Sequence, residues 1–303
     1  MSYLCIACDS TRVSRVGALP VFTPDWLGTP FDESTAGTSL YRCQDCKLHF
    51  RAPATSESEL ADYYSALASD DWWQHGEERE VWREIKKILE SAPGRRVLDV
   101  GCFRGDLLSY LGDDWERFGV EPSSDARKVA ESRGIRIVGS SVEGLESNQK
   151  FDAITLVDVI EHLPRPLESL QKLVNMLTPG GLLVIFTGNT QAWSWRFAGR
   201  HYWYSALPEH VAFFQPAWFR WAAPKLNCQV RSIHRLPYEP ASMSRKLDEA
   251  LKNVAYVTYQ RLTDSGLLGS ALPKLPIVSR IAKWNGAWWT TARDHILVTL
   301  VQP

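Results

Sequence analysis

Short apolar runs alternate with amphipathic segments through the middle of the chain. The apolar runs are continuous, which is typical of strands that are buried on both faces of a parallel sheet. The predicted strands are 96–100, 118–121, 135–138, 151–157 and 182–187. Apolar positions at helical spacing between them predict helices over 106–111, 124–133 and 166–177. This alternation predicts an α/β fold with a doubly wound, mostly parallel sheet.

The first part of the chain carries two cysteine pairs with the same spacing. Cys5 and Cys8 form one Cys-x-x-Cys pair, and Cys43 and Cys46 form the other. Each pair can supply two thiolates from one tight turn, and four thiolates hold zinc tetrahedrally. Because a four-cysteine site leaves no coordination position open for chemistry, we expect a structural zinc ion there. A redox role for the pairs is the alternative.

These patterns divide the chain into four regions. We expect a zinc-ribbon-like module over residues 1–55 and a helical connector over 56–94, with helices at about 56–67 and 77–91. The α/β domain would comprise residues 95–236 and 294–303, with two more strands at 229–236 and 295–301. Between these strands, residues 237–293 form a predicted helical insertion with one helix over 242–262, placed to cap a substrate site.

The sharpest feature of the α/β region follows its first strand. Asp99, Gly101 and Gly105 belong to the sequence Asp-Val-Gly-Cys-Phe-Arg-Gly, which has a strand before it and a helix after it. Glycines at such a turn let the backbone approach a ligand closely and turn sharply. Glu121 ends the next strand, where a carboxylate can accept hydrogen bonds from both hydroxyls of a ribose. The segment predicts a site for a nucleoside-containing cofactor.

This sequence resembles motif I of class I S-adenosylmethionine-dependent methyltransferases, Asp/Glu-x-Gly-x-Gly-x-Gly. The resemblance extends over about residues 77–190, through Gly-Val-Glu-Pro-Ser at 119–123, Phe-Asp-Ala-Ile at 151–154, Asp-Val-Ile-Glu-His-Leu at 158–163 and Leu-Thr-Pro-Gly-Gly-Leu-Leu-Val at 177–184. It implies a Rossmann-like fold with S-adenosylmethionine as the cofactor. By position, the resemblance implies that the methionine and ribose are contacted by Asp99, Gly101, Phe103 and Gly105, and the ribose also by Glu121 with Pro122 beside it. It implies that Ser141 and Val142 contact the adenine. It also implies that the backbone of Val157 and Asp158 faces the sulfonium.

Two residues depart from the family pattern. Phe103 replaces the middle glycine of motif I, and Ser141 stands where an adenine-binding aspartate is common. Both are compatible with binding, because the Phe103 ring can cover the methionine moiety and the Ser141 hydroxyl can bond the adenine amino group. A nucleotide-linked dehydrogenase is the competing interpretation, but its Gly-x-Gly-x-x-Gly spacing is missing.

Candidate groups on the acceptor side follow the fourth and fifth predicted strands of the sheet. Methyl transfer from a sulfonium is an in-line displacement, for which the enzyme aligns the nucleophile and removes a proton from a hydroxyl acceptor. Glu161 and His162 directly follow the fourth strand, and Glu209 and His210 lie in the aromatic segment 201–214 after the fifth. We expect His162 or His210 to be the general base. Packing roles for both histidines, and a divalent ion held by Glu161 with His162, are the alternatives.

The sequences Asp-Val-Ile-Glu-His and Pro-Glu-His resemble ubiquinone-pathway O-methyltransferases, and also methyltransferases of bacterial surface-polysaccharide and sugar pathways. The resemblance implies O-methylation of a sugar, glycan or other small-molecule hydroxyl, with a nucleotide- or lipid-linked acceptor, in polysaccharide or secondary-metabolite biosynthesis. A lipid-quinone O-methyltransferase is one alternative. An RNA methyltransferase that uses the zinc module is another, although residues 1–95 carry 10 Lys/Arg against 15 Asp/Glu and phosphate contacts need clustered Lys/Arg. A protein that binds the cofactor without catalysis is the third.

The composition is that of an ordinary globular protein, with 45% hydrophobic and 23% charged residues in a chain of 303. No apolar run has the length of a membrane span and no signal-peptide pattern precedes the first cysteine pair, so we expect a cytoplasmic protein.

Residues 187–303 are basic, with 14 Lys/Arg against 6 Asp/Glu. The basic side chains Arg245, Lys246, Arg280 and Lys283, with Trp284, Trp288 and Trp289, predict contact with a diphosphate-linked acceptor or with the inner face of a membrane. A plain helical cap on the sheet is the alternative.

Overall fold

The computed structural model describes residues 3–19, 37–53, 79–146, 148–207, 209–266 and 289–303. The strands are β1 (Val13–Ala18), β2 (Ser39–Cys43), β3 (His49–Ala52), β4 (Arg96–Val100), β5 (Glu116–Val120), β6 (Arg136–Gly139), β7 (Phe151–Val157), β8 (Leu177–Gly188), β9 (Ala212–Phe213), β10 (Gln229–Leu236) and β11 (His295–Val301). The helices are α1 (Glu80–Leu89), α2 (Asp106–Leu111), α3 (Ser124–Ser132), α4 (Pro166–Val174), α5 (Trp193–Ala198), α6 (Trp203–Ala206), α7 (Pro216–Ala222) and α8 (Met243–Asp264). Short 3₁₀ turns lie at Ile160–His162, Gly199–His201 and Ala223–Leu226.

The larger sheet has seven strands in the order β10-β11-β8-β7-β4-β5-β6. Strands β4 to β8 pair in parallel, and β11 runs antiparallel to both of its neighbours. Leu98, Ile154 and Leu183 lie side by side on adjacent strands and are all 0% exposed. Their continuous burial is what the apolar runs predicted, and the α/β class with a mostly parallel sheet is confirmed.

The junction between α4 and β8 differs from the sequence prediction. The helix ends at Val174 rather than 177, and β8 begins at Leu177 rather than 182. The Thr-Pro-Gly-Gly sequence indicates a turn, but Leu177 already pairs with Phe151, and the register then shifts before Ala153. Gly180 takes a positive φ of 77° at this irregularity, and its amide donates to the carbonyl of Gln302. A bulge of this kind lets the strand continue through residues that usually end one.

A second sheet with the order β1-β2-β3-β9 contains the first part of the chain. Its first three strands belong to the cysteine module, whereas β9 comes from the segment after α6. The side chains of Cys5, Cys43, Leu48 and Phe50 are 0% exposed and pack in the same apolar core as Ile185 of the larger sheet. The cysteine module therefore shares its core with the α/β domain.

Of the remaining predicted features, one helix is found with slightly different ends and the others lie outside the described residues. Helix α8 begins one residue after the predicted start and ends two residues beyond the predicted end. The predicted helix at 56–67 lies outside the described residues, as do Arg280, Lys283, Trp284 and Trp288. Within the described part of the chain, no helix combines the length and the apolar character needed to cross a membrane.

Candidate active site

The turn between β4 and α2 is built from residues in left-handed backbone conformations. Gly101, Phe103 and Gly105 have φ angles of 71°, 48° and 79°. A Cβ atom at Gly101 would lie 2.5 Å from Cγ2 of Val159, so that position has no room for a side chain. Phe103 accepts a conformation that usually favours glycine, which explains how the turn keeps its shape without the middle glycine of motif I.

Glu121 closes this turn from the end of β5. Its two carboxylate oxygens accept hydrogen bonds from the backbone amides of Phe103 and Ser123, each at 2.8 Å. Burial raises the pKa of Glu121 above its usual value, and the two amide bonds oppose that effect. Each carboxylate oxygen can accept more than one hydrogen bond, so the group can still receive two ribose hydroxyls.

Asp99 lies at the end of β4 beside the same turn and is 4% exposed. Its Oδ1 accepts a hydrogen bond of 2.6 Å from the hydroxyl of Thr155. Burial raises the pKa of Asp99 to about 7, helped by the nearby charge of Glu121 and opposed by the Thr155 bond. A cationic ligand group beside Asp99 would favour its ionised form.

The two residues expected to contact adenine differ in exposure. Val142 is 3% exposed, whereas Ser141 is exposed, as is Pro122, which was expected beside the ribose. The Ser141 hydroxyl accepts a hydrogen bond from the amide of Gly144 within its own turn. Adenine contacts from these residues stay predictions.

Asp158 follows β7, and its φ angle of 54° is in the left-handed region. Its Oδ2 forms an ion pair with Arg79 at 2.9 Å, and its Oδ1 is buried without a hydrogen-bond partner among the described residues. Val157, at the end of β7, is partly exposed beside it. Asp158 therefore presents an unsatisfied acceptor at the carboxyl end of the sheet, where a ligand group can bind.

Glu161 is fully buried at the end of the fourth parallel strand, in a small hydrogen-bonded network. Its carboxylate accepts hydrogen bonds from the hydroxyls of Tyr204 at 2.5 Å and Thr187 at 2.9 Å. Burial raises the pKa of Glu161 to about 7, and the charge of Asp158 adds to the rise. With this pKa, the Glu161 carboxyl group can gain or lose a proton near neutral pH.

His162 and His210, which are 48 residues apart in the sequence, meet at this network. Their ring centroids are 4.8 Å apart. His162 Nδ1 lies 3.2 Å from the carbonyl of Glu209, and His210 Nδ1 lies 2.9 Å from the carbonyl of Tyr204. Because a carbonyl can only accept, His210 carries its proton on Nδ1 and presents a lone pair on Nε2. His162 donates to the Glu209 carbonyl and also hydrogen-bonds to the backbone of Asp158.

Both imidazoles are held in the neutral form. Burial lowers the pKa of His162 to about 4. Burial also lowers the pKa of His210 well below its usual value, and the neighbouring His162 adds to the effect. One ligand atom each from Glu161, His162 and His210 lie within 4.8 Å of one another, so the same three groups can accept a proton or hold a divalent ion.

The structure places Glu209 differently from the other acceptor-side candidates. Its side chain is 4% exposed, and its charge acts on the buried guanidinium of Arg51, where it opposes the lowering of that pKa by burial. Its backbone carbonyl is the group that orients His162. Glu209 therefore supports the site through its backbone carbonyl and through its charge beside Arg51.

Four residues of this region were not singled out from the sequence. They are Thr187 and Tyr204, which bind Glu161, and the adjacent pair Asp294 and His295. Burial alone would lower the pKa of His295, but the carboxylate of Asp294 at 2.9 Å raises it above its usual value. The aromatic sequence around Tyr204 indicated the segment, but nothing local connects it to Glu161.

The four cysteines of the cysteine module form a compact cluster. Cys5 and Cys46 have their sulfur atoms 3.5 Å apart, and those of Cys8 and Cys43 are 3.6 Å apart. These separations are far above the bond length of a disulfide, about 2.05 Å. They are close to the edge of a tetrahedron around zinc, about 3.8 Å for Zn–S bonds of about 2.3 Å. A hydrogen bond from Cys46 lowers the pKa of Cys5 to about 5, so one thiolate forms readily.

A doubly wound sheet, a glycine turn after its first strand and a buried carboxylate at the end of the second define a class I S-adenosylmethionine-dependent methyltransferase. A family model described as "Methyltransferase domain" matches residues 73–233, and the chain belongs to that family. The expected enzyme class and cofactor are thereby confirmed.

Relatives of this chain extend the comparison. The "Ubiquinone biosynthesis O-methyltransferase" of Vibrio cholerae serotype O1 is 28% identical over 221 residues, which cover 66% of this chain and 90% of that protein. The protein of the same name from Alkalilimnicola ehrlichii is 28% identical over 217 residues, with 64% and 87% covered. The solved structure of the "[4+2]-Cyclase SpnF" matches with a TM-score of 0.50 at 14% identity, covering 82% of this chain and 97% of that one. At this identity the match shows the shared fold.

Proposed function

We propose that the chain transfers a methyl group from S-adenosylmethionine to a phenolic hydroxyl of a lipid-quinone-type acceptor. The observation that carries the proposal is the pair of neutral, oriented imidazoles beside Glu161, at the carboxyl end of the strands that border the cofactor turn. The relatives named for O-methylation in ubiquinone biosynthesis support this acceptor class over the glycan predicted from sequence.

The surroundings of the network also favour a planar, weakly polar acceptor. The ring of His295 lies 5.1 Å from that of Phe186, 5.2 Å from that of Tyr204 and 5.0 Å from that of Tyr238. Rings at such distances stack on one another and make the surroundings of the network largely apolar. A polyhydroxylated sugar would need many hydrogen-bond partners here, whereas the Tyr204 hydroxyl is already bonded to Glu161.

In the proposed reaction, the chain's own groups align the acceptor and move one proton. The acceptor hydroxyl gives its proton to Nε2 of His210 or to the His162 ring as its oxygen attacks the methyl carbon, and the bond from that carbon to sulfur breaks. The carbonyls of Glu209 and Tyr204 orient the two rings, and the Tyr204 carbonyl keeps the His210 proton on Nδ1. A divalent ion held by Glu161 and the two histidines would instead lower the pKa of the hydroxyl directly.

We also propose that Cys5, Cys8, Cys43 and Cys46 hold a structural zinc ion. The sulfur separations and the burial of three of the four thiols support it. An apolar cluster would not bring four thiols together, and a tetrahedral thiolate site would. The cytoplasmic location and the contact of the basic C-terminal third with a membrane or a diphosphate-linked acceptor stay predictions.

The test is methyl transfer from labelled S-adenosylmethionine to 3,4-dihydroxybenzoate, a nucleotide-activated sugar and an unmodified ribosomal RNA transcript. We expect transfer to the catechol and none to the other two. We also expect His162→Ala or His210→Ala to reduce that transfer at least about 100-fold, since general-base catalysis contributes about 10²–10⁴-fold.

Calorimetry with S-adenosylhomocysteine separates loss of chemistry from loss of the fold. The Kd should change less than about twofold in both variants, and His234→Ala, an exposed position on β10, should leave both transfer and binding unchanged. Transfer to the sugar or the RNA in place of the catechol would overturn the acceptor class. Full activity in both histidine variants would overturn the base assignment.

A further inference from the structure

We propose that the cysteine module is part of the acceptor side of the enzyme, and that Arg51 is a positioning residue that fixes the segment 205–213 carrying His210. Metal loading of the four cysteines would then control the acceptor side while leaving the cofactor side intact. The proposal rests on the proposed function, because it takes His210 as an acceptor-side group.

The second cysteine pair lies in the hairpin that connects β2 to β3. Cys43 ends β2, and the turn from Cys43 to Cys46 leads directly into β3. The amide of Cys43 donates to the carbonyl of Leu48 at 2.8 Å, and Lys47 takes a positive φ of 68°. The second cysteine pair is therefore the hairpin turn that sets the register of β2 against β3.

Strand β3 is hydrogen-bonded to the acceptor segment, by which we mean residues 205–213. Strand β3 pairs with β9 through His49 with Phe213 and Phe50 with Ala212. The pairing continues beyond β9, because the amide of Arg51 donates to the carbonyl of Val211 at 3.0 Å. The amide of Val211 in turn donates to the carbonyl of Glu161 at 2.9 Å. A series of backbone hydrogen bonds therefore links the cysteine hairpin, through β3 and Val211, to Glu161.

The side chain of Arg51 on β3 also contacts the acceptor segment and is 1% exposed. Its Nε donates to the carbonyl of His210 at 3.1 Å, and its Nη2 donates to the carbonyls of Ser205 at 2.9 Å and Leu207 at 2.8 Å. Its Nη1 donates to the hydroxyl of Thr38 at 2.9 Å. One guanidinium thus binds three backbone carbonyls of the acceptor segment, a use of the rigid donor fork that lysine cannot reproduce.

These bonds act on the two histidines through the backbone. The segment that Arg51 holds begins one residue after Tyr204, whose carbonyl orients His210. It also contains Glu209, whose carbonyl orients His162. If the segment moved, both imidazoles would lose the acceptors that orient them.

The cofactor turn is held by other bonds. Phe103 is fixed by Glu121 of the β5 end, and Asp99 by Thr155 of β7. Because those contacts lie within the larger sheet, loss of the cysteine metal should reach the acceptor segment and leave the cofactor turn in place.

The first experiment compares the full chain with zinc and after removal of zinc by dipicolinate. Amide hydrogen exchange should become at least about tenfold faster over residues 205–213 and should stay unchanged over residues 97–121. S-adenosylhomocysteine should bind both forms with Kd values within about twofold. The double variant Cys43→Ser/Cys46→Ser should behave as the zinc-free protein does, and Cys228→Ser should keep both the zinc ion and the slow exchange of residues 205–213.

The second experiment keeps the zinc and changes Arg51. In Arg51→Met, histidine nitrogen NMR should show His210 leaving the single Nδ1-protonated tautomer, while the zinc content stays at the wild-type value. Arg51→Lys should restore part of that signature, and Arg42→Met, an exposed position on β2, should not alter it. A purely structural role for Arg51 would lower stability without changing the tautomer.

The outcomes separate this proposal from the proposed function. Unchanged protection of residues 205–213 without zinc, or an unchanged His210 tautomer in Arg51→Met, would overturn the positioning role. Loss of S-adenosylhomocysteine binding together with the acceptor segment would also overturn it, because the module would then stabilise the whole fold. Failure of wild-type protein to methylate the catechol would count against the acceptor class and leave these measurements intact.

Discussion

At the residue scale, two buried carboxylates border the cofactor turn, and their surroundings give them different roles. Glu121 is held by two backbone amides, so its position is fixed before any ligand arrives. Asp99 is held by one hydroxyl and has a pKa of about 7, so its charge depends on pH in the physiological range. The first group should bind the ribose in a geometry that is already formed, and the second should make affinity depend on pH.

Replacing Glu121 with glutamine should weaken cofactor binding without a large change of volume. The amide NH₂ cannot accept a hydrogen bond, so it faces donors from the backbone and from the ribose. We expect the Kd for S-adenosylhomocysteine to rise at least about tenfold, which corresponds to about 1.4 kcal/mol. Titration calorimetry measures this, with Glu131→Gln on the exposed face of α3 as the control. Equal affinity in Glu121→Gln and wild type would show that the carboxylate does not bind the ribose.

The pKa of Asp99 predicts a pH dependence of cofactor binding. Because burial raises it to about 7, Asp99 in the free protein is mostly protonated at pH 6 and mostly ionised at pH 8. The ammonium group of the cofactor's methionine moiety favours the ionised form, so binding at low pH must first remove a proton. We expect the affinity for S-adenosylhomocysteine to rise about tenfold from pH 6 to pH 8.

The matched variant for that experiment is Asp99→Asn, which keeps the shape and cannot titrate. Its affinity should be nearly constant over the same pH range in calorimetry. A wild-type profile that is flat, or one that falls as the pH rises, would contradict the assignment of Asp99 to the cofactor side.

At the scale of elements, the turn from β4 to α2 depends on close packing as well as on backbone conformation. Gly101 and Gly134 have similar positive φ angles, 71° and 77°. A Cβ atom at Gly101 would overlap the Val159 side chain, whereas at Gly134 it would meet only a guanidinium nitrogen of Arg117 at 3.6 Å, an ordinary contact. Alanine at either position incurs left-handed strain of about 1 kcal/mol, and the overlap adds about 1–3 kcal/mol at Gly101 alone.

Urea denaturation of the two variants should therefore separate strain from overlap. We expect Gly101→Ala to lower the free energy of unfolding by about 1–3 kcal/mol more than Gly134→Ala does. Equal losses would mean that Val159 moves aside freely, and that the turn tolerates side chains where the cofactor approaches.

The sequence predicted those features whose cause lies within a few residues. The glycine turn, the carboxylate at the end of β5 and the strand at Phe151–Val157 depend on local spacing and on continuous apolar runs. It did not predict β9, which has two residues and pairs with a strand far away in the chain. Arg51 looked like an ordinary polar residue of a short strand, and only the tertiary structure buries it against three carbonyls.

At the scale of the whole molecule, the cysteine site lies in a module that shares one core with the larger sheet. Such a site ties the loop that carries Cys5 and Cys8 to the hairpin that carries Cys43 and Cys46. Metal binding by thiolates that come together only in the folded state adds directly to the free energy of folding.

Purified protein should therefore contain one zinc ion per chain by elemental analysis, and cobalt substitution should give the absorption of a tetrahedral thiolate site. Cys43→Ser should lower both the zinc content and the midpoint of thermal unfolding, because three thiolates bind the ion less tightly than four. Cys228→Ser replaces a buried cysteine of the same core that lies outside the cluster, so it controls for the loss of a thiol from the interior. Serine at Cys228 should change stability while the zinc content stays at one. A zinc content near zero in the wild type, or equal zinc in Cys43→Ser, would show that the four sulfurs are held together by packing alone.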